Sequence, residues 1–306
     1  MRLLTRSDFD GLACGALLKE LGIIDHWKFV HPKDIQDGLV EVSADDVLAN
    51  IPFVPGCGLW FDHHTSEHER IKTLGDVSFT GESRLADSAA RVIYEYYGGA
   101  GRLPHMAEMV EAVDKVDAAK LTREEVLDPR GWVLLGFLMD PRTGLGRFRE
   151  FRISNYELME KLIDACRSQT IGEILADPDV AERIQLYTEQ NALFAGMVKR
   201  VTRTDGNVIV SDLRGIETIY TGNRFIVYCL YPEQNISLWI VDGRAKQNVA
   251  VAVGHSILNR TSKTDVGALL LTYNGGGHRQ VGTCQLPYGT ADEAIAELIE
   301  KIKKDG

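Results

Sequence analysis

Through the first half of the chain, short apolar runs alternate with segments of helical period, and that alternation selects a parallel sheet flanked by helices. MRLLT reads as a strand, SDFDG as the turn after it, and Leu12–Leu21 as a helix closed by Gly22. WKFVH, DVLAN and GLWFD read as further strands. Helices are expected at Leu85–Tyr97, Met106–Lys115, Asn155–Arg167 and Val180–Val201, with residues 121–153 loop-rich. The later texture is β-rich, in NVIVSDL, RFIVYCLY, ISLWIVD and QNVAVAVG. It is followed by a helix at Asp265–Leu271, a glycine cluster, a strand at TCQLP and a last helix at Ala291–Lys304. The expected fold class is α/β: a parallel-sheet domain over 1–178, a long connector helix over 179–203 and a smaller α+β domain over 204–306.

Composition narrows the function classes. Hydrophobic residues make up 44% of the 306 and charged residues 25%, which excludes disordered and fibrous chains. The five cysteines are odd in number and widely spaced, with no C-x-x-C, so neither a disulfide framework nor a zinc ribbon is supported. That usage favours a reducing, cytoplasmic setting. MRLLTRSDFD fits no signal peptide, and no apolar run approaches the roughly 20 residues of a membrane span. A net charge of −10 argues against long duplex nucleic acid. The charge is uneven: residues 1–199 carry −11 and residues 200–306 carry +1. Solubility alone accounts for that, while a sharper reading has one half holding cations and the other receiving an anion.

In open parallel sheets, ligands bind beyond the carboxyl ends of the strands. Asp8-Phe9-Asp10, Asn50 and Asp62-His63-His64 all fall at or just after strand ends, and Asp114 and Asp117 sit near the end of a helix that reaches the same edge. Singly each has an ordinary explanation: a turn, a surface histidine pair, a solvated helix face. Their convergence on one edge makes a catalytic, cation-holding site the expectation.

FDHHT after a strand, with SDFDG upstream and NGGGH downstream, resembles the DHH phosphoesterase family, its RecJ-like and nano-RNase-like enzymes with the DHH-associated C-terminal domain. The resemblance covers nearly the whole chain. It implies a two-domain phosphohydrolase using Mn²⁺, or Mg²⁺ or Co²⁺, as one or two ions that activate water. Mixed carboxylate and imidazole ligands suit such an ion. It would lower the pKa of its water and offset charge on phosphoryl oxygens.

Carried over by position, Asp8 and Asp10 match the family's first acidic pair and His63 its ligating histidine. Asp62 and His64 match partners that orient ligands or face substrate, and Asp117 matches the late aspartate, with Asp114 as competitor. Two positions depart from the pattern. Arg6 stands where relatives carry a ligating His or Asp, and Asn50 where they carry a bridging Asp. Asp46 is a poor substitute, since four residues of strand move it about 13 Å from that end. Arginine cannot ligate a cation. Two readings stay open: Arg6 is a fixed cation in place of one metal, or Asn50 ligates through its amide oxygen and both ions bind.

Gly275, Gly276, Gly277 and His278 match the family's substrate loop, where glycine N–H groups approach an anion; the ordinary reading is a Gly-rich turn. Arg260 matches a phosphate-binding arginine ahead of a helix, with His255 and Arg279 weaker candidates. Arg142, Arg147, Arg149 and Arg152 form a basic stretch with no family role, where an arginine beside Phe148 or Phe151 is able to stack a base. His26, His31, His68 and His105 read as non-functional, and Tyr94, Tyr96 and Tyr97 as core or rim.

The expected function is hydrolysis of phosphodiester bonds in short oligonucleotides or small nucleotides. Exopolyphosphatase or pyrophosphatase-like cleavage is the enzymatic alternative, and a catalytically decayed nucleotide sensor the alternative from another class. The expected partner is a small phosphorylated substrate, oligonucleotide, nucleotide or polyphosphate, with no long duplex and no membrane. The oligomeric state, a homodimer included, stays open.

Overall fold

A computed structural model describes residues 1–73 and 77–306; the side chains of Thr65, Ser66, His68, Glu69 and Arg244 lie outside the described residues. The chain begins β1 (Arg2–Thr5), α1 (Phe9–Glu20), β2 (His26–Phe29), α2 (Pro32–Gln36), β3 (Asp46–Ala49), β4 (Leu59–Asp62), α3 (Thr65–Thr73) and β5 (Gly81–Ser83). It continues through α4 (Ala89–Tyr96), α5 (Ala107–Asp117), α6 (Arg123–Leu127), α7 (Gly131–Met139), α8 (Asn155–Ser168), α9 (Ile171–Ala176) and α10 (Pro178–Val201). It ends with β6 (Thr202–Asp205), β7 (Val208–Asp212), α11 (Ile226–Leu230), β8 (Ile236–Asp242), β9 (Asn248–His255), α12 (Val266–Leu271), β10 (Gly276–His278), β11 (Val281–Pro287) and α13 (Ala291–Asp305). Two compact units result, Met1–Lys120 with Pro129–Tyr187, and Leu121–Asp128 with Thr188–Gly306.

The first unit holds a five-stranded parallel sheet in the order β2-β1-β3-β4-β5. Its central strands are covered on both faces, so Leu3, Leu4, Val47, Leu48, Trp60 and Phe61 are all fully buried. Helix α1 packs against α4, α5 and α8. Its residues from Phe9 to Leu18 are all buried, so it has no solvent face to betray it by period. Register places Arg2 opposite Asp46 at the amino end of β3. There Arg2 Nε donates to Asp46 Oδ1 at 2.6 Å, and the Ser43 N–H donates to Oδ2 at 2.7 Å. Burial alone would raise the Asp46 carboxyl, but those bonds outweigh it and hold it below the usual range.

The second unit holds a six-stranded sheet, β10-β11-β9-β8-β7-β6, antiparallel except between β7 and β8. One face, with Val210, Leu238, Ile240, Val251 and Leu286, forms a core with Leu270 of α12 and Ile295, Leu298 and Ile299 of α13.

Several expectations are corrected. The segment 121–153 is not simply loop-rich: it contains α6 and α7, and the run GWVLLGFLM of α7 is apolar around its circumference. Helix α4 starts at Ala89 because Ser88 Oγ accepts from the Arg91 N–H at 2.9 Å. RFIVYCLY contains helix α11 rather than a strand. Asn223 turns the chain there, accepting from the Phe225 N–H at 3.0 Å and donating to the Val126 carbonyl of α6 at 3.2 Å. The glycine cluster is not a turn either: Gly276–His278 is an edge strand paired with β11.

Candidate active site

Asp8 is the N-cap of α1, its Oδ1 accepting from the Gly11 N–H at 2.9 Å. Two residues on, Asp10 is 2% exposed, and its Oδ2 and Oδ1 accept from the Ala89 and Ala90 N–H groups at 2.9 and 2.8 Å. Those are the first two residues of α4, so the carboxylate sits on the positive end of that helix. Strand β4 ends at Asp62 and delivers His63 and His64 beside it. His63 Nδ1 lies 3.2 Å from the Ala86 carbonyl oxygen, which can only accept, so Nδ1 carries the proton and Nε2 the lone pair. Nε2 is buried with no hydrogen-bond partner, 3.4 Å from Asp117 Oδ2 and 3.7 Å from Asp10 Oδ2. Asp10, His63 and Asp117 each offer a ligand atom within 4.8 Å of one another. A buried lone pair facing two carboxylates, with no donor among the three atoms, fits a divalent cation.

Charges around the cluster follow from burial. Burial first, then Asp117, pushes Asp10 up to about 7. Burial on its own would lower His64. Its Nδ1 lies 3.0 Å from Asp62 Oδ1, and that bond, with the charges of Asp62, Asp117 and Asp10, raises it to about 9.

The two departures meet at Asp8. Arg6 Nε is 3.0 Å from Asp8 Oδ2, and Asn50 Nδ2 donates to Asp8 Oδ1 at 3.1 Å. Asn50 leaves β3 at φ 56°, a left-handed turn that asparagine tolerates. Both oxygens of Asp8 thus have protein partners, and Asn50 turns its amide nitrogen toward that carboxylate. Burial raises Asp8, with Arg6 opposing. Asp114 does not join the cluster: Ser88 Oγ donates to its Oδ1 at 2.6 Å and Arg91 Nε to its Oδ2 at 2.8 Å.

The basic stretch disperses. Arg147 Nε donates to the Gly144 carbonyl at 3.1 Å, the Arg149 N–H to Glu150 Oε2 at 2.9 Å, and the Arg152 N–H to Glu182 Oε1 at 3.1 Å. One face of Phe151 is covered by Arg183, whose Cζ stands 4.1 Å from the ring centroid. Arg142 alone of the stretch lines a small cavity with Asp8, Asp10, Asp117 and Asp140. Sequence reasoning missed this placement because α7, which carries the chain there, was invisible to periodicity. It missed the α4 backbone donors too, since only Ser88 signalled that helix start.

In the second unit, Gly275, Gly276, Gly277 and His278 lie along the edge strand and its entry. A Cβ at Gly275 would meet the Thr283 carbonyl oxygen at 2.3 Å, and at Gly277 the Val281 carbonyl oxygen at 2.3 Å, while at Gly276 it would meet open space. Two of the three glycines are therefore demanded by packing on β11. His278 and Arg279 are exposed. Arg260 Nε donates to the Ile257 carbonyl at 3.0 Å, and His255 Nε2 lies 2.9 Å from the Thr264 carbonyl oxygen. The histidines read as non-functional have structural partners where described: Asp25 for His26, the Lys33 N–H for His31 and Glu20 for His105.

Asp10 of α1, Asp117 of α5 and His63 after β4 thus form a cluster beside the parallel sheet that could hold a metal ion. The chain belongs to the DHH phosphoesterase family. It is 49% identical to the pGpG-specific phosphodiesterase PggH from Vibrio cholerae, covering 100% of this chain and 99% of that one, with a TM-score of 0.85. RecJ from Thermus thermophilus, solved with Mn²⁺, shares the fold at 15% identity and a TM-score of 0.55, covering 99% of this chain and 52% of that one. An exopolyphosphatase-related protein from Bacteroides fragilis does so at 14% and 0.51, covering 99% and 91%. No protein-family model matches the chain, and no curated protein does. The family, the α/β fold and the phosphoesterase class expected from the motifs are thus borne out. Among the described residues, no helix is long and apolar enough to cross a membrane.

Proposed function

We propose that this chain hydrolyses the phosphodiester of a small dinucleotide of the pGpG kind, with Mn²⁺ the preferred ion and Asp10, His63 and Asp117 its ligands. The observation that carries the reading is the buried, unpartnered Nε2 of His63 facing two carboxylates. The substrate class comes from the Vibrio relative, alike along its whole length. An ion held there supplies a more acidic water and charge for the phosphoryl oxygens. The chain's own residues do the rest. Ala89 and Ala90 hold Asp10, and the Ala86 carbonyl fixes the tautomer of His63. His64, whose Nδ1 lies 3.0 Å from Asp62 Oδ1, packs beside the His63 ring at a centroid distance of 4.3 Å. Arg6 on Asp8 supports the fixed-cation reading, with one well-held ion rather than two.

In the second unit, Gly276, His278 and Arg260 are the residues proposed to bind phosphate. Five free thiols suit a cytoplasmic enzyme. The test is turnover of pGpG, longer oligonucleotides, 3′-phosphoadenosine 5′-phosphate and polyphosphate with Mn²⁺. The expected result is a preference for the dinucleotide, abolished in His63→Ala. Turnover that persists after complete chelation refutes the metal assignment, and a preference for polyphosphate restores the exopolyphosphatase alternative.

A further inference from the structure

We propose that Arg142 is a substrate-positioning residue of this reaction, holding a non-bridging phosphate oxygen beside the Asp10–His63–Asp117 cluster; the assignment rests on the hydrolase reading above. Three independent features of the first unit bring it there.

The first is the close seating of α7. A Cβ at Gly136 would stand 2.9 Å from Phe9 Cδ1 and 3.0 Å from Val116 Cγ2. Phe9 lies between Asp8 and Asp10, and Val116 precedes Asp117. Glycine at 136 therefore lets α7 approach α1 and α5 beside all three aspartates. The second is the turn that follows. Asp140, 7% exposed, accepts on Oδ1 both the Arg142 backbone N–H at 2.9 Å and its Nε at 2.7 Å. Thr143 Oγ1 ties the same turn to the Phe137 carbonyl of α7 at 2.7 Å. The guanidinium reaches Asp140 through Nε, and its two terminal nitrogens form the fork that binds phosphate oxygens in pairs. The third is the lining itself. Arg142 shares its cavity with Asp8, Asp10, Asp117 and Asp140, and its side chain is still 53% exposed.

Charge explains why such a residue is needed. Four carboxylates around one cavity repel a phosphodiester. One divalent ion with the guanidinium groups of Arg6 and Arg142 would offset that charge. Each arginine places its Nε on a carboxylate, Arg6 on Asp8 and Arg142 on Asp140, and of the two it is Arg142 that lines the cavity. A purely structural role, neutralising Asp140, is the competing account.

The experiment compares wild type, Arg142→Ala, Arg142→Lys and Arg142→Gln in three readouts. These are kcat and KM on pGpG with Mn²⁺, calorimetric binding of pGpG to EDTA-treated protein, and the rise in Tm on adding Mn²⁺ alone. Losing one charge-assisted hydrogen bond to the phosphate predicts a fall of about 10- to 100-fold in kcat/KM for Arg142→Ala, with metal-free binding weakened in parallel. Arg142→Lys should recover part of both, and the Mn²⁺-induced rise should be unchanged throughout. If Arg142→Ala does not fold, Lys and Gln variants carry the comparison, with Gln the more impaired. Wild-type turnover with unaltered kinetics and binding in the variants leaves Arg142 a structural partner of Asp140 and overturns the proposal. Loss of the Mn²⁺-induced rise overturns it as well, by placing Arg142 in support of the ligands. Wild-type protein inert on pGpG refutes the hydrolase reading itself.

Discussion

Asp114 and Asp117 stand three residues apart on α5 and take opposite parts, which two single substitutions separate. Asp114 accepts from Ser88 Oγ at 2.6 Å and from Arg91 Nε and Nη2 at 2.8 and 2.6 Å. Charge-assisted bonds of this kind contribute ~1.5–3 kcal/mol. With Arg91 23% exposed, screening brings the loss in Asp114→Ala toward ~2 kcal/mol. For a unit of this size that lowers Tm by about 4–8 °C. Asp117 has a different environment: it faces His63 Nε2 at 3.4 Å and, after burial, does most to raise Asp10. Asp117→Asn removes that repulsion, so the metal-free Tm should hold or rise. Mn²⁺ at a hundred-fold excess over Kd stabilises by ~2.7 kcal/mol. Scanning fluorimetry with and without Mn²⁺ should therefore show a shift of about 5–11 °C in wild type and in Asp114→Ala. Asp117→Asn should show none. A shift lost in Asp114→Ala and kept in Asp117→Asn would falsify the division.

Three further expectations are structural. Arg183 is fully buried and donates to Asn155 Oδ1, the Asp179 and Ile153 carbonyls and Glu182 Oε1; Arg183→Ala should cost about 3–5 kcal/mol in urea unfolding, and a loss under 1 kcal/mol contradicts its role as the pin of residues 153–183. Because the folded state holds the Asp46 carboxyl below its ordinary value, its contribution is present above pH ~4 and disappears as pH falls through the folded pKa. The gap in urea midpoint between wild type and Asp46→Asn should therefore be wide at pH 7 and narrow progressively as pH falls below ~4. On the edge strand, Gly277→Ala should destabilise the second unit by about 1–3 kcal/mol through overpacking while Gly276→Ala melts like wild type, and equal melting of the two contradicts the close approach of β10 to β11.

Strand ends were the legible part of this chain. Asp8, Asp10, Asp62 and His63 follow β1 and β4 because short apolar runs and their polar exits are local signals that the sheet then brings together. The choice between Asp114 and Asp117 was not local. Three residues on a helix put both on nearly the same face, and the decision came from Ser88 and Arg91 on α4. Segments read wrongly failed for two reasons. Helix α7 has no polar face and hence no period. RFIVYCLY is rich in β-branched and aromatic residues, which favour strands until Asn223 turns the chain. The glycines of β10 match a substrate loop, and their closeness to β11 was not legible because it is set by a neighbour in space.

Helix α6 belongs to the second unit although it is synthesised inside the first. Val126 is fully buried there, and its carbonyl accepts from Asn223, 97 residues later. At about 5–20 residues per second, a ribosome needs roughly 5–20 s to deliver that partner. During the interval Val126 waits for the residues of its own unit, Thr188–Gly306, that bury it. For the same reason, a fragment cut cleanly at Tyr187 keeps eight residues, Leu121–Asp128, that belong to the half it has lost.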